Sequence, residues 1–196
     1  MKSVLITAFE PYDRWSENSS WLAIVELTRT LPAQPRIVTR LYPVDFDRVR
    51  DKLDEDLAAN HDLALHLGQS PGSASIQLEQ FAVNVRGETG IWNERPPPLV
   101  SDGPLAFESN APLSDWAAKI RAAGIPARLS YHAGVYLCNA TLYFSRYLCE
   151  RKKLKTRSAF VHLPLAPSQA MQQPVDVASL SPVQVAAALR CVLAMI

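Results

Sequence analysis

The sequence predicts an α/β fold: a single-domain, three-layer α/β/α sandwich around a mainly parallel, twisted sheet. Short apolar runs typical of strands alternate with helical patterns along the chain, and no internal repeat or obvious linker interrupts them. Such alternation is typical of parallel strands whose crossover helices cover both faces of a sheet. A length of 196 residues with 48% hydrophobic residues suits one domain with a sizeable core, predicted to span residues 1–196.

The first part of the chain predicts strands and helices in turn. A strand at residues 4–9 is followed by a helix at 21–30, for which Asn18, Ser19 and Ser20 provide capping groups. Next come a strand at 37–41, a helix at 46–59 and a buried strand at 62–67 that ends at Gly68. Residues 75–85 are predicted to be a further extended segment.

Residues 86–112 are rich in glycine, proline and asparagine, so this region is predicted to be mostly loop. A loop of this length inside a compact domain is usually functional or an interface. Beyond it we expect a helix at 113–123, a strand at 127–132, a helix after Cys138 and a strand at 159–163. The last helix begins at Ser181 and Pro182, where Gln184 completes a capping box.

The overall charge gives no sign of a nucleic-acid partner. The formal net charge is +1, and the one basic cluster, at residues 151–157, follows a helical run whose negative end favours cations. No apolar stretch is long enough to span a bilayer, and the first apolar run meets Glu10 and Asp13 too early for a signal peptide. We therefore expect a cytoplasmic protein that binds neither nucleic acid nor a membrane.

Cysteine usage favours a reducing compartment. The three cysteines include no closely spaced pair, which argues against a disulfide framework or a zinc site. Cys138 and Cys149 would lie about 16 Å apart along one helix, beyond disulfide reach. Cys191 lies in an apolar helical run and is most simply a packing residue. No spacing typical of metal ligands, of a phosphate-binding glycine loop or of a cofactor is present, so we predict neither metal nor cofactor.

Cys138 is the strongest candidate for a nucleophile. Residues 130–139 predict a strand and a tight turn that deliver this cysteine to the start of a helix. Unpaired backbone N–H groups and the positive end of the helix dipole favour a thiolate there, and the thiolate is the nucleophilic form. Its partners are expected near strand ends, because sites in such folds gather at the carboxyl ends of strands.

A histidine could supply the base that such a thiol needs. His162 lies near the end of a short apolar strand and could take the thiol proton and later protonate a leaving amine. His132, six residues before Cys138, is a rival base or a plain turn residue. His66 lies in mid-strand and is interpreted as structural, and His61 as exposed. Taken singly, a strand histidine is more often a satisfied core residue than a base.

Glu79 is the carboxylate best placed to orient an imidazole. Period-two alternation puts it on the face of an extended segment that Phe81, Val83 and Val85 share. A carboxylate on an apolar face is costly without a partner. Either a cation or an imidazole meets Glu79 there, or that face is wet and the carboxylate is solvated, and periodicity does not distinguish the two.

Six segments that cover nearly the whole chain carry a resemblance to a known family. They are residues 4–12, 68–72, 79–84, 103–107, 124–139, and 160–164 with 167–169. In their order and spacing they resemble the pyroglutamyl peptidases, also called pyrrolidone carboxyl peptidases, a family of cysteine exopeptidases. Each segment alone is a weak signal, but together they are specific.

The resemblance implies removal of an N-terminal pyroglutamyl group from a peptide through a thioester intermediate. It implies that Cys138 is the nucleophile, His162 the general base and Glu79 the residue that orients the base. The backbone N–H of Cys138, near a helix start, would be an oxyanion donor.

The resemblance also implies a lactam pocket. Phe9 and Tyr12 would flank the ring, Gln69 would contact it through its backbone, and Tyr136 and Leu137 would line the approach to the thiol. A pyroglutamyl end is an uncharged lactam, so the pocket should be apolar with a few fixed hydrogen bonds. Without the resemblance, Phe9, Tyr136 and Leu137 would simply be core residues.

The chain departs from the family pattern at several positions. Asp13 and Arg14 stand where the family usually has a glycine pair, which predicts a different loop path. The family places an arginine where this chain has Thr89, although the family asparagine is kept at Asn93. Loss of that arginine would weaken charge stabilisation near the oxyanion, and Arg86 could substitute from a shifted position or be an ordinary surface residue.

Two alternatives to a pyroglutamyl peptidase stay open at this point. One is a related cysteine hydrolase that acts on another small amide with the same thiol and imidazole. The other is a catalytically silent relative that binds a lactam-ended peptide or only scaffolds an oligomer. Because bacterial members of the family are often tetramers, the resemblance also implies a homotetramer, with the proline-rich loop as a contact.

Overall fold

A central sheet of six strands organises the chain, which the computed structural model describes over residues 1–87 and 96–196. In chain order, the strands are β1 Ser3–Phe9, β2 Arg36–Tyr42, β3 Leu63–Gln69, β4 Ile76–Glu79, β5 Phe81–Val83, β6 Ala106–Glu108, β7 Ala127–Ser130 and β8 Arg157–Leu163. The order in the main sheet is β2-β1-β3-β8-β4-β7, while β5 and β6 form a separate antiparallel pair. In the main sheet, β4 is antiparallel to β8 and the other pairings are parallel. The prediction of a mainly parallel sheet is thereby confirmed.

Helices cover both faces of the main sheet, which confirms the predicted three-layer sandwich. The helices are α1 Ser19–Thr28, α2 Phe46–Leu57, α3 Leu113–Ala122, α4 Leu137–Arg151, α5 Pro167–Ala170 and α6 Pro182–Leu193. Alternation along the strands divides the core between the layers. In β3, Leu63, Leu65 and Leu67 pack with α1, α3 and α6, whereas Ala64 packs with α2 and α4. Within the described ranges, none of these helices has the length and apolar character that a membrane crossing would need.

Local sequence signals explain where several helices begin. Asn18 caps α1 by accepting the Ser20 N–H at 3.1 Å, so Ser19 and Ser20 belong to the helix rather than to its cap. Ser181 and Gln184 form the predicted capping box of α6, with a proline at the start of the helix.

The extended segment predicted at 75–85 is in fact two strands in different sheets. At Gln80 the backbone N–H donates to the backbone oxygen of Ser130, the last residue of β7, and the backbone oxygen accepts from the N–H of Ser109, next to β6. The chain therefore leaves the main sheet after Glu79 and enters the β5–β6 pair. Glu79 consequently does not share a strand face with Phe81, which is 37% exposed.

Other sequence predictions also need correction. The region expected to be loop contains β6, and α5 was not predicted because four residues are too few to show helical periodicity. His61, interpreted as exposed, is 3% exposed and lies at 3.2 Å from Ser3 through Nδ1 and Oγ.

The carboxyl ends of β1, β3 and β8 meet at one edge of the main sheet, because these neighbouring strands run parallel. β4 runs the other way beside β8, so its first residues lie at this same edge. Polar groups at the ends of these strands are thereby brought together. This edge is where the sequence predicts a site.

His66 is a buried polar residue that makes the fold sensitive to acid. It is fully buried in β3, and its Nδ1 pairs with the Thr7 hydroxyl at 2.8 Å, while its Nε2 has no partner among the described residues. Burial penalises the charged form and lowers the pKa of His66 to about 3.

We expect this group to destabilise the fold as the pH falls. Below about pH 6.5 the unfolded chain protonates this side chain while the folded chain does not, so the free energy of unfolding decreases as the pH falls from 6.5 towards 3. The free energy of unfolding should decrease by about 2 kcal/mol between pH 6.5 and pH 5, at about 1.4 kcal/mol per pH unit. Urea unfolding across this range should show a weaker pH dependence in His66→Gln than in the wild type. Equal pH dependence in both proteins would contradict this account.

Candidate active site

Cys138 is the second residue of α4, at the carboxyl edge of the main sheet. Gly134 has a φ of +78°, which allows the turn that leads from β7 to this helix. No side chain caps the N-terminus of α4 within the described chain, so its first-turn N–H groups remain available near the partly exposed thiol. The helix dipole there favours a negative charge on sulfur.

His162 and Glu79 come together through the antiparallel pairing of β8 with β4. His162 lies opposite Gln77, and Glu79, two residues further along β4, shares its face of the sheet. The imidazole Nδ1 and Glu79 Oε1 are 2.7 Å apart, within a strong hydrogen bond. Glu79 is fully buried and His162 is 8% exposed. Because Nδ1 is taken by the carboxylate, Nε2 is the nitrogen left for another partner.

The side chain of Cys138 lies near the His162 imidazole, because Gly68, which pairs with His162 across β3 and β8, adjoins the Cys138 sulfur. Burial opposes the charged imidazolium, but the Cys138 thiolate and the Glu79 carboxylate outweigh it and raise the pKa of His162 to about 10. This arrangement favours an imidazolium held between a thiolate and a carboxylate. Such a pair combines a nucleophile with a proton donor.

Gly68, in β3 opposite His162, leaves the space that this contact needs. A Cβ at this position would lie 2.9 Å from the Cys138 sulfur and 2.6 Å from Cζ of Phe160. The Phe160 ring in turn packs edge-on against His162, with 5.0 Å between ring centroids. We did not single out Gly68 from the sequence, although a glycine inside a strand pattern signals a close approach of other groups.

A small cavity of about 140 Å³ adjoins the thiol. Its walls contain every residue for which the resemblance implies substrate contact, together with two further residues, Asn18 and Val44. The lining residues are Phe9, Tyr12, Asn18, Val44, Gln69, Tyr136, Leu137 and Cys138. Sequence reasoning placed Asn18 only as a helix cap and did not single out Val44, because neither carries a local signal of ligand binding.

The Gln69 side chain is fixed by a buried hydrogen-bond network behind the cavity. Its Oε1 accepts from the Ser19 N–H at 2.8 Å and from Gln169 Nε2 at 2.7 Å. Gln169, in α5, also accepts the Ala166 N–H and donates to the Glu17 backbone oxygen. The short helix α5 therefore holds the end of β3 in place beneath the cavity.

Tyr12 keeps the cavity uncharged. Burial and the neighbouring Cys138 thiolate raise the pKa of Tyr12 to about 12, although the nearby Gln69 side chain acts in the opposite direction. The phenol therefore stays neutral at physiological pH. Among the described residues, the lining contains no Asp, Glu, Lys, Arg or His side chain, so the cavity suits a neutral ligand.

The other histidines lie apart from this cluster. His132, the rival base, is exposed and accepts the Gly134 N–H through Nδ1 at 3.0 Å. His66 and His61 are held in the core by the contacts described above. Among the described residues, the His, Cys, Asp and Glu side chains form no group of three that could hold a metal ion.

The structure shows where two of the residues that bear on the departures from the family pattern, Asp13 and Arg86, are placed. Asp13 has a φ of +52°, in the left-handed region that a glycine adopts readily and aspartate tolerates. Arg86 does not face the thiol, because it pairs with Asp47 at 3.3 Å and lies over the Phe46 ring. Thr89 and Asn93 lie outside the described residues.

Asn139, next to Cys138, is a structural residue that sequence reasoning missed. Its side chain accepts the Val83 N–H at 2.8 Å and donates to the Val83 and Val85 backbone oxygens. These bonds fasten the start of α4 to β5. They position the thiol relative to the segment that continues from Glu79.

Comparison with known proteins gives one consistent result. The family model described as pyroglutamyl peptidase matches residues 2–196. A pyrrolidone-carboxylate peptidase of Erwinia tasmaniensis is 36% identical over 179 residues, which are 89% of this chain and 83% of the relative. Another from Pectobacterium atrosepticum is 32% identical, covering 95% of this chain and 89% of the relative.

Solved structures agree with the sequence relatives. The pyrrolidone carboxyl peptidase of Fervidobacterium islandicum superposes with a TM-score of 0.92 at 29% identity, covering 98% of this chain and 97% of that one. The pyroglutamyl peptidase I of Bacillus amyloliquefaciens gives a TM-score of 0.89 at 27% identity, covering 98% and 95%.

Proposed function

Since the chain belongs to the pyroglutamyl peptidase family, we propose that it is a cysteine exopeptidase that removes N-terminal pyroglutamyl groups from peptides. We propose Cys138 as the nucleophile, His162 as general acid and base, and Glu79 as the residue that orients the imidazole. One observation carries these roles. The His162 imidazole lies near the Cys138 sulfur on one side and is 2.7 Å from a fully buried carboxylate on the other.

The reaction would proceed in two steps. The Cys138 thiolate attacks the carbonyl carbon of the pyroglutamyl residue, a C–S bond forms, and His162 gives its proton to the departing amine as the C–N bond breaks. Water then attacks the thioester, its proton passes to His162, and the C–S bond breaks to release pyroglutamate. The carboxylate of Glu79 stabilises the imidazolium throughout.

The surroundings of the thiol fit a lactam. Phe9, Tyr12, Tyr136 and Leu137 provide a largely apolar wall, and the backbone of Gln69 is held at the cavity by its pairing with Leu163 of β8. The backbone N–H of Cys138 lies at the start of α4, where N–H groups can stabilise the oxyanion of a tetrahedral intermediate.

A substrate panel tests this function. Purified protein is incubated with the aminomethylcoumarin amides of pyroglutamate, proline and glutamate, with and without iodoacetamide. We expect turnover of the pyroglutamyl amide alone, abolished by alkylation. Preferred turnover of either other amide would indicate a different hydrolase, and binding of a pyroglutamyl peptide without turnover would indicate a silent relative.

The cell compartment and the assembly state are also part of the proposal. All three cysteines are free, which suits the reducing cytoplasm. Leu105, which follows the proline-rich region, is 90% exposed and would be covered in a homotetramer. Sedimentation equilibrium tests this assembly, and a monomer at micromolar concentration would contradict it.

We expect Glu79→Gln to move the alkaline limit of activity to lower pH. In the free wild-type enzyme kcat/KM should fall as the pH rises through the pKa of His162, about 10, because the imidazolium is lost. Removal of the carboxylate charge lowers that pKa, so the limit should move by about one unit or more to lower pH. The rate near neutral pH should fall roughly 10²-fold, the lower end of what general acid–base catalysis contributes.

Glu150→Gln, at the far end of the same helix as Cys138, is the matched control for loss of a carboxylate. It should keep both the rate and the pH profile of the wild type. An unchanged alkaline limit in Glu79→Gln would contradict the role of Glu79.

A further inference from the structure

A second groove lies on the far side of His162 from the lactam cavity. It encloses about 400 Å³ and is lined by the loop at residues 70–75, by Gln77 in β4 and by Arg128 in β7. Ser70, the first residue of this loop, follows Gln69 directly, so the groove begins where the lactam cavity ends. The loop passes over the end of β8, where the Ser70 N–H donates to the Leu163 backbone oxygen at 2.8 Å.

The strand order shows that the lactam cavity and the groove lie on opposite sides of β8, the strand that carries His162. The cavity walls that Phe9 and Gln69 provide belong to β1 and β3, which lie on one side of β8 in the sheet. Gln77 and Arg128 belong to β4 and β7, which lie on the other side. A substrate with its lactam in the cavity and its scissile bond at His162 would therefore extend its leaving peptide into the groove.

Arg128 lies in line with His162 across the sheet. His162 pairs with Gln77, and Gln77 pairs with Arg128, so the three side chains emerge on one face of three successive strands. At about 4.8 Å per strand, the backbones of Arg128 and His162 are roughly 10 Å apart. A peptide extended at about 3.3 Å per residue covers that distance in two to three residues.

The chemistry of the groove suits a carboxylate. Arg128 is exposed, and among the described residues it has neither an ion-pair partner nor a side-chain hydrogen bond. The rest of the lining is uncharged, and its polar side chains are three serines and Gln77. It is held by hydrogen bonds from Gln77 Nε2 to the Ser73 hydroxyl at 2.6 Å and from that hydroxyl to the Ser75 backbone oxygen at 2.8 Å. No carboxylate in the lining competes for the guanidinium.

We propose that this groove binds the leaving peptide and that Arg128 pairs with a carboxylate two to three residues beyond the lactam. The inference rests on the proposed function, because it takes the direction of the substrate from the lactam cavity. The carboxylate can be the C-terminus of a short peptide or an acidic side chain, and both present the same planar group to a guanidinium.

Matched peptides test the proposal. Pyroglutamyl-Ala-Ala with a free carboxylate should have a kcat/KM about twofold to fivefold above that of its C-terminal amide at low ionic strength. The preference should weaken at high salt, because the guanidinium is exposed. A comparison of kcat/KM for pyroglutamyl-Ala-Glu-Ala-amide and pyroglutamyl-Ala-Gln-Ala-amide shows whether an acidic side chain pairs with Arg128 as well as a C-terminal carboxylate does.

For each peptide pair, Arg128→Gln should bring the ratio of kcat/KM for the acidic peptide to kcat/KM for the neutral peptide close to one. Arg29→Gln removes the same charge at the C-cap of α1, outside the lining of the groove, and should keep the wild-type ratio of kcat/KM values. A wild-type ratio of one or below, or a preference that persists in Arg128→Gln, would overturn the proposal.

Peptide binding to the inactive variant Cys138→Ala tests the groove independently of the proposed catalytic function. The acid and amide forms of pyroglutamyl-Ala-Ala should differ in Kd by a similar factor, and equal Kd values would overturn the subsite without any turnover being measured. Failure of the proposed function would be seen elsewhere, as absence of coumarin release from the pyroglutamyl amide by the wild type.

Discussion

Cys138→Ala should lower kcat/KM for a pyroglutamyl amide by at least about 10⁴-fold. The sulfur forms the covalent bond to the substrate, and among the described residues that line the lactam cavity no other side chain can replace it as a nucleophile. Because the side chain is small and partly exposed, the free energy of unfolding should change by less than about 1 kcal/mol. Steady-state kinetics and urea unfolding of the same preparation measure both effects.

Cys191→Ala provides the matched control. Cys191 lies in α6, which packs on the opposite face of the main sheet from α4, so its loss should leave kcat/KM near the wild-type value. A Cys138→Ala protein that still cleaves the amide at the wild-type rate would remove the nucleophile from this account.

His162→Ala should have the second largest effect, a fall of about 10³-fold or more in kcat/KM. Without the imidazolium the thiolate loses its stabilising charge and the departing amine loses its proton donor. Alkylation of Cys138 by iodoacetamide near neutral pH should slow for the same reason. The alkylation rate reports on the thiol–imidazole contact without reference to any substrate.

A second substitution keeps this test sound if the first variant fails to fold. Removal of the imidazole leaves Glu79 buried without its partner, which can cost about 3–5 kcal/mol of stability. His162→Gln retains a hydrogen-bond donor for that carboxylate but not a titrating base, so it should fold and still lose activity. His132→Ala, which alters the rival base, should retain activity. Loss of activity in His132→Ala but not in His162→Gln would show that the wrong base was chosen.

The architecture could be predicted because its signals are local. Alternating apolar runs and helical patterns give the layers, and capping residues such as Asn18 and Ser181 mark helix starts within the sequence itself. The break at Gln80 could not be predicted, since it depends on hydrogen bonds to residues 109 and 130, which are distant in sequence. A strand's partner is a tertiary property that periodicity does not contain.

In the site, too, local signals could be predicted from the sequence, whereas contacts between distant segments could not. Position at the end of a strand or the start of a helix singles out His162 and Cys138 within their own segments. Whether Glu79 meets an imidazole or solvent depends on β4 lying antiparallel beside β8, which only the strand order reveals. Gly68 and Gln169 act through neighbours on other elements, so their own segments do not show which groups they serve.

Trapping the covalent intermediate tests the central claim most directly. A pyroglutamyl thioester or activated ester is mixed with the enzyme, quenched in acid within the first turnovers, and digested for mass spectrometry. We predict one added pyroglutamyl group, located on the peptide that contains Cys138 and missing from Cys138→Ala. Turnover with that group on Cys149 or Cys191, or with no acylated cysteine at any time, would contradict a mechanism in which Cys138 attacks the substrate.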